Sequence, residues 1–368
     1  MKKEPDQTLS DKPSEQGRKQ RVLTALRQSI LDGTYPPGGQ LPNQIELSSQ
    51  FKVSGFTIHR ALDQLAREGF IRKRQRVGTH VMDRPPHLNN LALLFPLDPT
   101  RETHYNKFYR ALENALTAYE RTEKRTIHRF HGVDNHTDTP DRLRLLTQVA
   151  AHQLAGIVFA HPPNKLKGTP IVDEPGLVRV AFSTTQPAPH IPAVTTDRYS
   201  FLDRALDYLV SRGRRRVALL LVPGYFSDDE HYLEQAMTKR GIQCPPHWQL
   251  TLSQSATEGA INCVRLLMHE APSTRPDGLV ITDDNLVEHA QAGLIAAGVR
   301  VPDEIEVVEH CNFPWPPSVL ATKRLGFDTQ AILRVCIDLI DRQRRGEPVP
   351  GITKVPAVFE NELGQPAP

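Results

Sequence analysis

Cysteine is scarce in this chain of 368 residues, and the four present, Cys244, Cys263, Cys311 and Cys336, stand far apart. No CxxC pair or regular spacing joins them, which argues against a disulfide framework or a cysteine zinc site and points to a reducing, cytoplasmic compartment. Long apolar runs are missing too, for none approaches the roughly 20 residues of a membrane span. Residues 1–15, MKKEPDQTLSDKPSE, are polar where a secretory signal needs an apolar stretch, so neither export nor membrane insertion is expected. There is no GxSxG elbow, no Walker loop and no GxGxxG fingerprint, so no enzymatic activity and no cofactor is expected. His128 and His131 form an HxxH with His136 nearby. On a strand or loop that spacing does not set ligands on one face, and no carboxylate or cysteine pattern completes a set, so no metal is expected.

What the chain does have is an uneven distribution of charge. The formal net charge is only +3, yet residues 1–90 hold 15 Lys/Arg against 9 Asp/Glu, and the rest carries a small acidic excess. Concentrating cations in one short segment suits a unit that meets phosphate, with the remainder free of that task.

The cationic segment reads as three helices and a hairpin. Val22, Leu26 and Ile30 recur at helical spacing and Gly33 supplies a stop. Tyr35-Pro36-Pro37-Gly38-Gly39 cannot continue the helix, because proline lacks the donor and glycine favours turns. A second helix starts at Asn43, with Glu46 placed to complete a capping box, and ends near Phe51. Ser54 then caps a third helix that buries Ile58, Ala61, Leu62 and Leu65 and stops at Gly69. Phe70-Ile71 and Thr79-His80-Val81 form two strands around the basic run Arg72 to Arg76. This is a helix-turn-helix with a wing. Its candidate DNA-contacting residues are Ser54, Phe56, Thr57, His59 and Arg60 at the start of helix three, and Arg72, Lys73, Arg74, Arg76, Gly78, Thr79 and His80 in the wing.

The stretch "IldGtYpPGgqLPnqiELssqFkVSgfTihrALdqLareGfI" followed by "RVGTHV" resembles the DNA-binding domain of the GntR family of bacterial regulators, in register over about sixty residues. The resemblance implies a winged helix-turn-helix over 18–83. The chain departs from the family pattern at Gly55, where an arginine is usual after Val-Ser, at Ile45, often charged, and at Arg76, in place of a wing glycine. A bidentate arginine–guanine contact is worth about 1–3 kcal/mol of discrimination, so the departure at Gly55 implies an altered operator or weaker specific binding.

Beyond Pro85-Pro86 the pattern changes to alternating apolar strands and amphipathic helices: strand 91–95, helix 107–119, strand 125–130, helix 141–153, strand 156–160 and strand 177–182. After the turn-rich 183–193 come helix 199–212, strand 217–222, helices near 230–240 and 257–269, and strand 278–282. Such alternation predicts parallel sheets with helices on both faces, and this many strands need two sheets. Ligands of such sheets sit beyond the carboxyl ends of the strands. That rule nominates Asp98, His161, Ser183, Thr184, Asp229, Asp283, Asp284 and Asn312 as ligand-binding candidates. Trp315, set among Pro314, Pro316 and Pro317 near the crossing between lobes, could stack on a sugar face or pack on the hinge.

From about Leu91 to Glu362 the chain resembles the sensor domain of LacI-type regulators, related to type I periplasmic sugar-binding proteins; "PDGLVITDDNLVEHAQAGLIAAGVRVPDEIEVVEHCN" carries the most specific match. A GntR-type reader joined to such a sensor is similar to the arabinose-responsive repressors. Here too there are departures, since Asp229-Glu230-His231-Tyr232-Leu233 stands where an arginine and Gly-Phe are usual, and Cys311 stands where an aspartate is. The resemblance implies an N-terminal α+β unit followed by a two-lobed α/β domain. The expected organisation is a disordered leader over 1–17, reader 18–83, linker 84–90, sensor 91–362 and tail 363–368. The expected partners are an operator duplex, a sugar-like small-molecule effector, and a second copy of the chain in a homodimer. Two other readings stay open: a ligand-blind DNA-binding protein, and a GntR-type reader fused to an aminotransferase-like enzyme.

Overall fold

The computed structural model describes residues 15–74, 77–83, 85–100, 106–122, 125–133, 138–182, 190–226, 229, 231–253 and 257–364. Its first unit is built by α1 (Glu15–Leu31), α2 (Gln44–Phe51), α3 (Gly55–Arg67) and an antiparallel hairpin of β1 (Ile71–Arg74) and β2 (Gly78–Val81). Helix α1 starts inside the stretch expected as a leader over 1–17. Glutamate at the positive end of the helix and good helix formers after it favour this earlier start. Asn43 caps α2 with a complete capping box, and Lys52 ends it in a left-handed conformation (φ 53°), which turns the chain sharply into the Ser54 cap of α3. Val22, Leu26, Ile30, Leu47, Ile58, Leu65, Phe70 and Val81 close one core beneath these elements.

The linker is short and partly helical, as α4 (Pro86–Asn89), and it leads straight into the first lobe. That lobe holds β3 (Asn90–Leu94), α5 (Lys107–Thr122), β4 (Thr126–Phe130), α6 (Pro140–Ala150), β5 (Gly156–Phe159), α7 (Pro170–Asp173), β6 (Arg179–Phe182) and β7 (Ala193–Thr196). The second lobe holds α8 (Arg198–Ser211), β8 (Val217–Leu221), α9 (Tyr232–Arg240), β9 (Gln249–Thr251), α10 (Gly259–Leu267), β10 (Gly278–Ile281), α11 (Val287–Ala296), β11 (Glu306–Phe313) and β12 (Lys323–Asp328). Helix α12 (Thr329–Arg344) then returns to the first lobe, where β13 (Ile352–Val355) joins its edge, and β14 (Val358–Phe359) ends in the second. The sheet orders are β13-β7-β6-β5-β3-β4, parallel throughout, and β14-β12-β11-β10-β8-β9, parallel except for β14.

Strand β3 shows why the run "NLALL" is apolar throughout. Leu91 and Leu93 pack on one face of the sheet and Ala92 and Leu94 on the other, so a strand covered on both sides has no polar alternation. Gly326 of β12 lies opposite Cys311 of β11, and a Cβ there would fall 1.9 Å from the Cys311 carbonyl oxygen, so only glycine permits this register.

The chain crosses between lobes three times: from β7 to α8, from β12 into α12, and from β13 to β14. The crossings are stitched together at the hinge. Asp197 N–H donates to Val355 O at 2.8 Å, Ala357 N–H donates to Ser200 Oγ at 2.9 Å, and the fully buried Thr329 hydroxyl lies 2.6 Å from Phe313 O.

Candidate nucleic-acid interface and ligand cleft

The start of α3 is less polar on its outer side than the sequence suggests. Ser54 is the cap: its hydroxyl accepts from Thr57 N–H at 3.2 Å and lies 2.9 Å from Thr57 Oγ1. Thr57, expected to face a groove, is only 3% exposed, because the capping bond and the core beneath α3 draw it inward. His59 pairs with Asp63 at 3.2 Å, and Lys73 of the wing holds the other oxygen of that carboxylate. The Lys73 bond keeps the Asp63 carboxyl below its usual range. Phe56 stands 62% exposed, with the Arg60 guanidinium 5.8 Å from its ring centre. Ile45 at the start of α2, a departure from the family pattern, is 82% exposed.

In the wing, Arg72, Lys73 and Arg74 are exposed. Gly78 has φ 117°, a conformation that side-chain-bearing residues rarely adopt, and lies against the end of the Gln40 side chain. Thr79 is half-buried, its carbonyl accepting from Leu41 N–H at 2.8 Å. His80 is half-buried, and its Nδ1 is buried without a hydrogen-bond partner among the described residues. Arg76 lies outside the described residues.

The facing ends of the lobes form the second site. Lys107, at the N-terminus of α5 in the first lobe, reaches across so that its ammonium donates to Asp284 O at 2.7 Å and pairs with Glu288, while its N–H donates to Asn285 Oδ1 at 3.3 Å. Asp283 caps the short turn after β10, accepting from Asn285 N–H at 2.9 Å. Asp284 is buried and accepts from Asn312 Nδ2 at 2.7 Å. Burial, and then the neighbouring Asp283, pushes the Asp284 carboxyl up to about 7. Burial pushes His310 down to about 4, against the pull of Asp283, and burial raises the Tyr225 phenol well above its ordinary range, with Asp283 adding to it. Asp283, Asp284, Asn312 and Trp315 are thus gathered around Lys107, whose ammonium sits 5.8 Å from the Trp315 ring centre. Lys107, Tyr225 and His310 are missing from the sequence-based candidates; a cation at the first turn of a helix, a tyrosine in the turn after β8 and a histidine within β11 carry no local signature.

The other candidates occupy separate loops. Asp98 closes its own turn by accepting from Thr100 N–H and Oγ1 at 2.9 and 2.7 Å, and Asp229 accepts from His231 N–H at 3.2 Å. His161 is half-buried after β5, its pKa lowered by burial and then by Lys165. Ser183 and Thr184 lie outside the described residues. Near the first crossing, Tyr199, Tyr225, Phe226 and Tyr232 form a cluster with ring centres 4.5 to 5.8 Å apart, a platform of the kind that stacks on a sugar face. Among the described residues no group of three or more His, Cys, Asp or Glu could hold a metal.

Reader and sensor meet at a third place. His87 of the linker is buried and stacks on Phe70 of the reader, with ring centres 5.7 Å apart and planes 11° apart. Arg27 of α1 lies over the same Phe70 ring at 5.8 Å and pairs with Glu68 at 2.7 Å. Burial, followed by the charges of Arg344 and His152, pushes His87 down to about 3. A cavity of about 230 Å³ lies alongside, walled by Gln28 and Leu31 of α1 and by Val149, His152, Leu177 and Arg344 of the sensor. Arg344 ends α12, the helix that crosses from the second lobe.

Comparison with known proteins places both units. Residues 18–81 match the bacterial regulatory proteins of the gntR family, and residues 206–358 match the periplasmic binding protein-like domain. The chain is 22% identical over 300 residues to the arabinose metabolism transcriptional repressor of Geobacillus stearothermophilus, covering 77% of this chain and 79% of that protein. Among solved structures, a regulatory protein of the LacI family from Chloroflexus aggregans is similar with a TM-score of 0.57 at 16% identity, covering 73% of this chain and 96% of that one. A LacI family transcriptional regulator from Lactobacillus casei with bound glucose is similar with a TM-score of 0.52 at 16% identity, covering 74% and 98%. The fold is therefore a GntR-type winged helix-turn-helix followed by a two-lobed domain of the LacI-like type, and no helix among the described residues is long and apolar enough to cross a membrane.

Proposed function

We propose that this chain, a GntR-type reader joined to a periplasmic-binding-protein-like domain, is a non-enzymatic transcriptional regulator. It grips operator DNA through the reader and changes that grip when a sugar or related metabolite settles between the lobes. The observation that carries this reading is the path of α12. It begins at the hinge, where Asp328 caps it and Thr329 is locked to Phe313, and it ends at Arg344 on the joint with α1 of the reader. A rigid helix running from the hinge to that joint can carry lobe rotation to the reader, which is the physical content of coupling.

On the DNA side, Phe56, His59 and Arg60 face the groove while Arg72, Lys73 and Arg74 of the wing meet backbone phosphate. On the ligand side, Lys107, Asp283, Asn312, Trp315 and the tyrosine platform supply hydrogen bonds and stacking for a polyhydroxylated molecule. Support for that ligand class comes from the arabinose repressor and from the glucose-bound relative. Two copies pair in the cytoplasm through their sensors, presenting two readers to half-sites related by a two-fold axis, and ligand relieves repression.

The test is enrichment of duplexes from a randomised pool, followed by titration of the enriched duplex at several salt concentrations with and without candidate sugars. The expected outcome is an enriched motif and an affinity that falls steeply with salt, by roughly 0.9 per phosphate contact on a log–log scale. A sugar that binds shifts that affinity about 5- to 150-fold. Absence of any enriched motif defeats the reader assignment. A ligand that stabilises the protein yet leaves DNA affinity unchanged defeats the coupling.

A further inference from the structure

The outward tip of the reader is apolar where direct readout commonly relies on polar groups. Ser54 and Thr57 are committed to each other, and Thr57 is buried. His59 is paired with Asp63, which Lys73 holds from the other side. Residue 55 has no side chain, and its carbonyl accepts from Gln44 Nε2 at 2.6 Å, so the starts of α2 and α3 touch. Ile45 and Phe56 are the next residues along from this contact, and both emerge into solvent. Around them are cations: Arg60 beside the Phe56 ring and 4.0 Å from the Glu15 carboxylate, and the exposed Arg72 and Arg74 of the wing, with Lys73 between them held by Asp63.

An apolar tip ringed by cations is suited to a surface that is anionic at its edges and carries apolar groups at its floor. Duplex DNA has one such feature, since the thymine 5-methyl is the apolar group presented in the major groove. We propose that Phe56, with Ile45 beside it, reads thymine methyl groups, so that the operator half-site is specified in part by thymines at the tip of α3. Arg60 is held over the Phe56 ring and carries its charge toward the adjoining phosphate, which fixes the ring's approach to the groove. This rests on the proposed reader function and goes further, by naming which chemical group on the base is recognised and by which side chains.

The experiment starts from the duplex enriched in the randomised pool. Each thymine in turn is replaced by deoxyuridine, which differs only by lacking the methyl, and affinity for the full-length protein is read by fluorescence anisotropy. One or two positions in each half-site are expected to lose about fourfold in affinity, the worth of one buried methyl group. Phe56→Ala makes thymine and uracil bind equally at those positions while leaving the salt dependence unaltered, and Phe56→Leu retains the preference. Because Phe56 lies at the surface, an unchanged circular dichroism spectrum is expected for both variants. If every uracil duplex binds the wild-type protein within 1.5-fold of its thymine parent, or if Phe56→Ala keeps the thymine preference, apolar reading is overturned while an enriched motif still upholds the reader. If no duplex is enriched, the reader function itself fails.

Discussion

The bridge from Lys107 holds the two lobes together across the cleft, and Lys107→Met removes its charge while keeping most of the stem. The ammonium donates to the Asp284 carbonyl at 2.7 Å, and a hydrogen bond from a charged donor is worth about 1.5–3 kcal/mol. The pairing with Glu288 adds little, since that carboxylate is 60% exposed and surface pairs contribute about 0–1 kcal/mol. A loss of about 2 kcal/mol shifts the balance between closed and open lobes by roughly 30-fold. Small-angle scattering of Lys107→Met is therefore expected to show a larger radius of gyration than the wild type, and saturating effector is expected to restore the compact form at a higher ligand concentration. The variant should still bind duplex, because the partners of Lys107 all lie in the second lobe and none in the reader. Scattering curves that superimpose, together with unchanged effector affinity, would refute the claim that this contact sets lobe closure.

His87 is expected to make the reader–sensor joint sensitive to acid. Its folded pKa of about 3 lies below the ordinary 6.5, so between those values the unfolded chain binds a proton that the folded chain refuses. Its contribution to stability is thus complete above pH 6.5 and falls with pH toward 3, by up to about 1.4 kcal/mol per pH unit; denaturant titrations at pH 7 and 4.5 should show a smaller difference for His87→Leu than for the wild type. Arg344→Ala, at the end of α12, should leave effector binding and DNA binding each intact but bring the effector-induced change in DNA affinity close to unity; an undiminished change removes α12 from the route. Gly326→Ala forces β11 and β12 apart at the Cys311 carbonyl and should cost about 4 kcal/mol or more, seen as loss of the cooperative thermal transition, whereas a melting temperature within 2 °C of the wild type contradicts the close approach.

The legible parts of this molecule are those whose cause is local. The caps Asn43 and Ser54, the stop at Gly69 and the apolar runs of β3, β5, β8 and β10 follow from side-chain chemistry within a few residues, and the structure has them within one or two positions. Strand β11 was not legible as a strand. Its sequence "EVVEHCNF" breaks the apolar run with groups that are buried only because distant partners satisfy them: Glu306 accepts from Tyr208, Glu309 from Gln291, and Asn312 donates to Asp284. Strand β7 was hidden for a related reason, lying at the edge of a turn-rich stretch where only pairing with β6 and β13 makes it regular. The same division runs through the sites. The wing's cations announce themselves in a row, whereas the inward turn of Thr57 and the reach of Lys107 to a residue 177 positions away depend on the assembled fold.

The arrangement of cores decides which motions the sensor has open to it. One cluster is confined to the outer face of the first lobe, around Phe130 and Leu145, and another to the outer face of the second, around Trp248 and Leu267. The largest cluster belongs to both lobes, for it joins Leu93 and Phe108 of the first to Leu219 and Val308 of the second through Ile332, Leu333, Cys336 and Ile337 of α12. Separating the lobes outright would expose that shared core, and burial of apolar surface at roughly 25 cal/mol per Å² makes such a separation costly. Pivoting about the crossings, with the core intact and only polar contacts such as those of Lys107 broken, costs far less. Lobe motion is thereby channelled into pivoting about the crossings, and α12, which starts at one of them, ends at Arg344 beside α1. A pivot of this kind can tilt the reader as a body, with no change within the winged helix required.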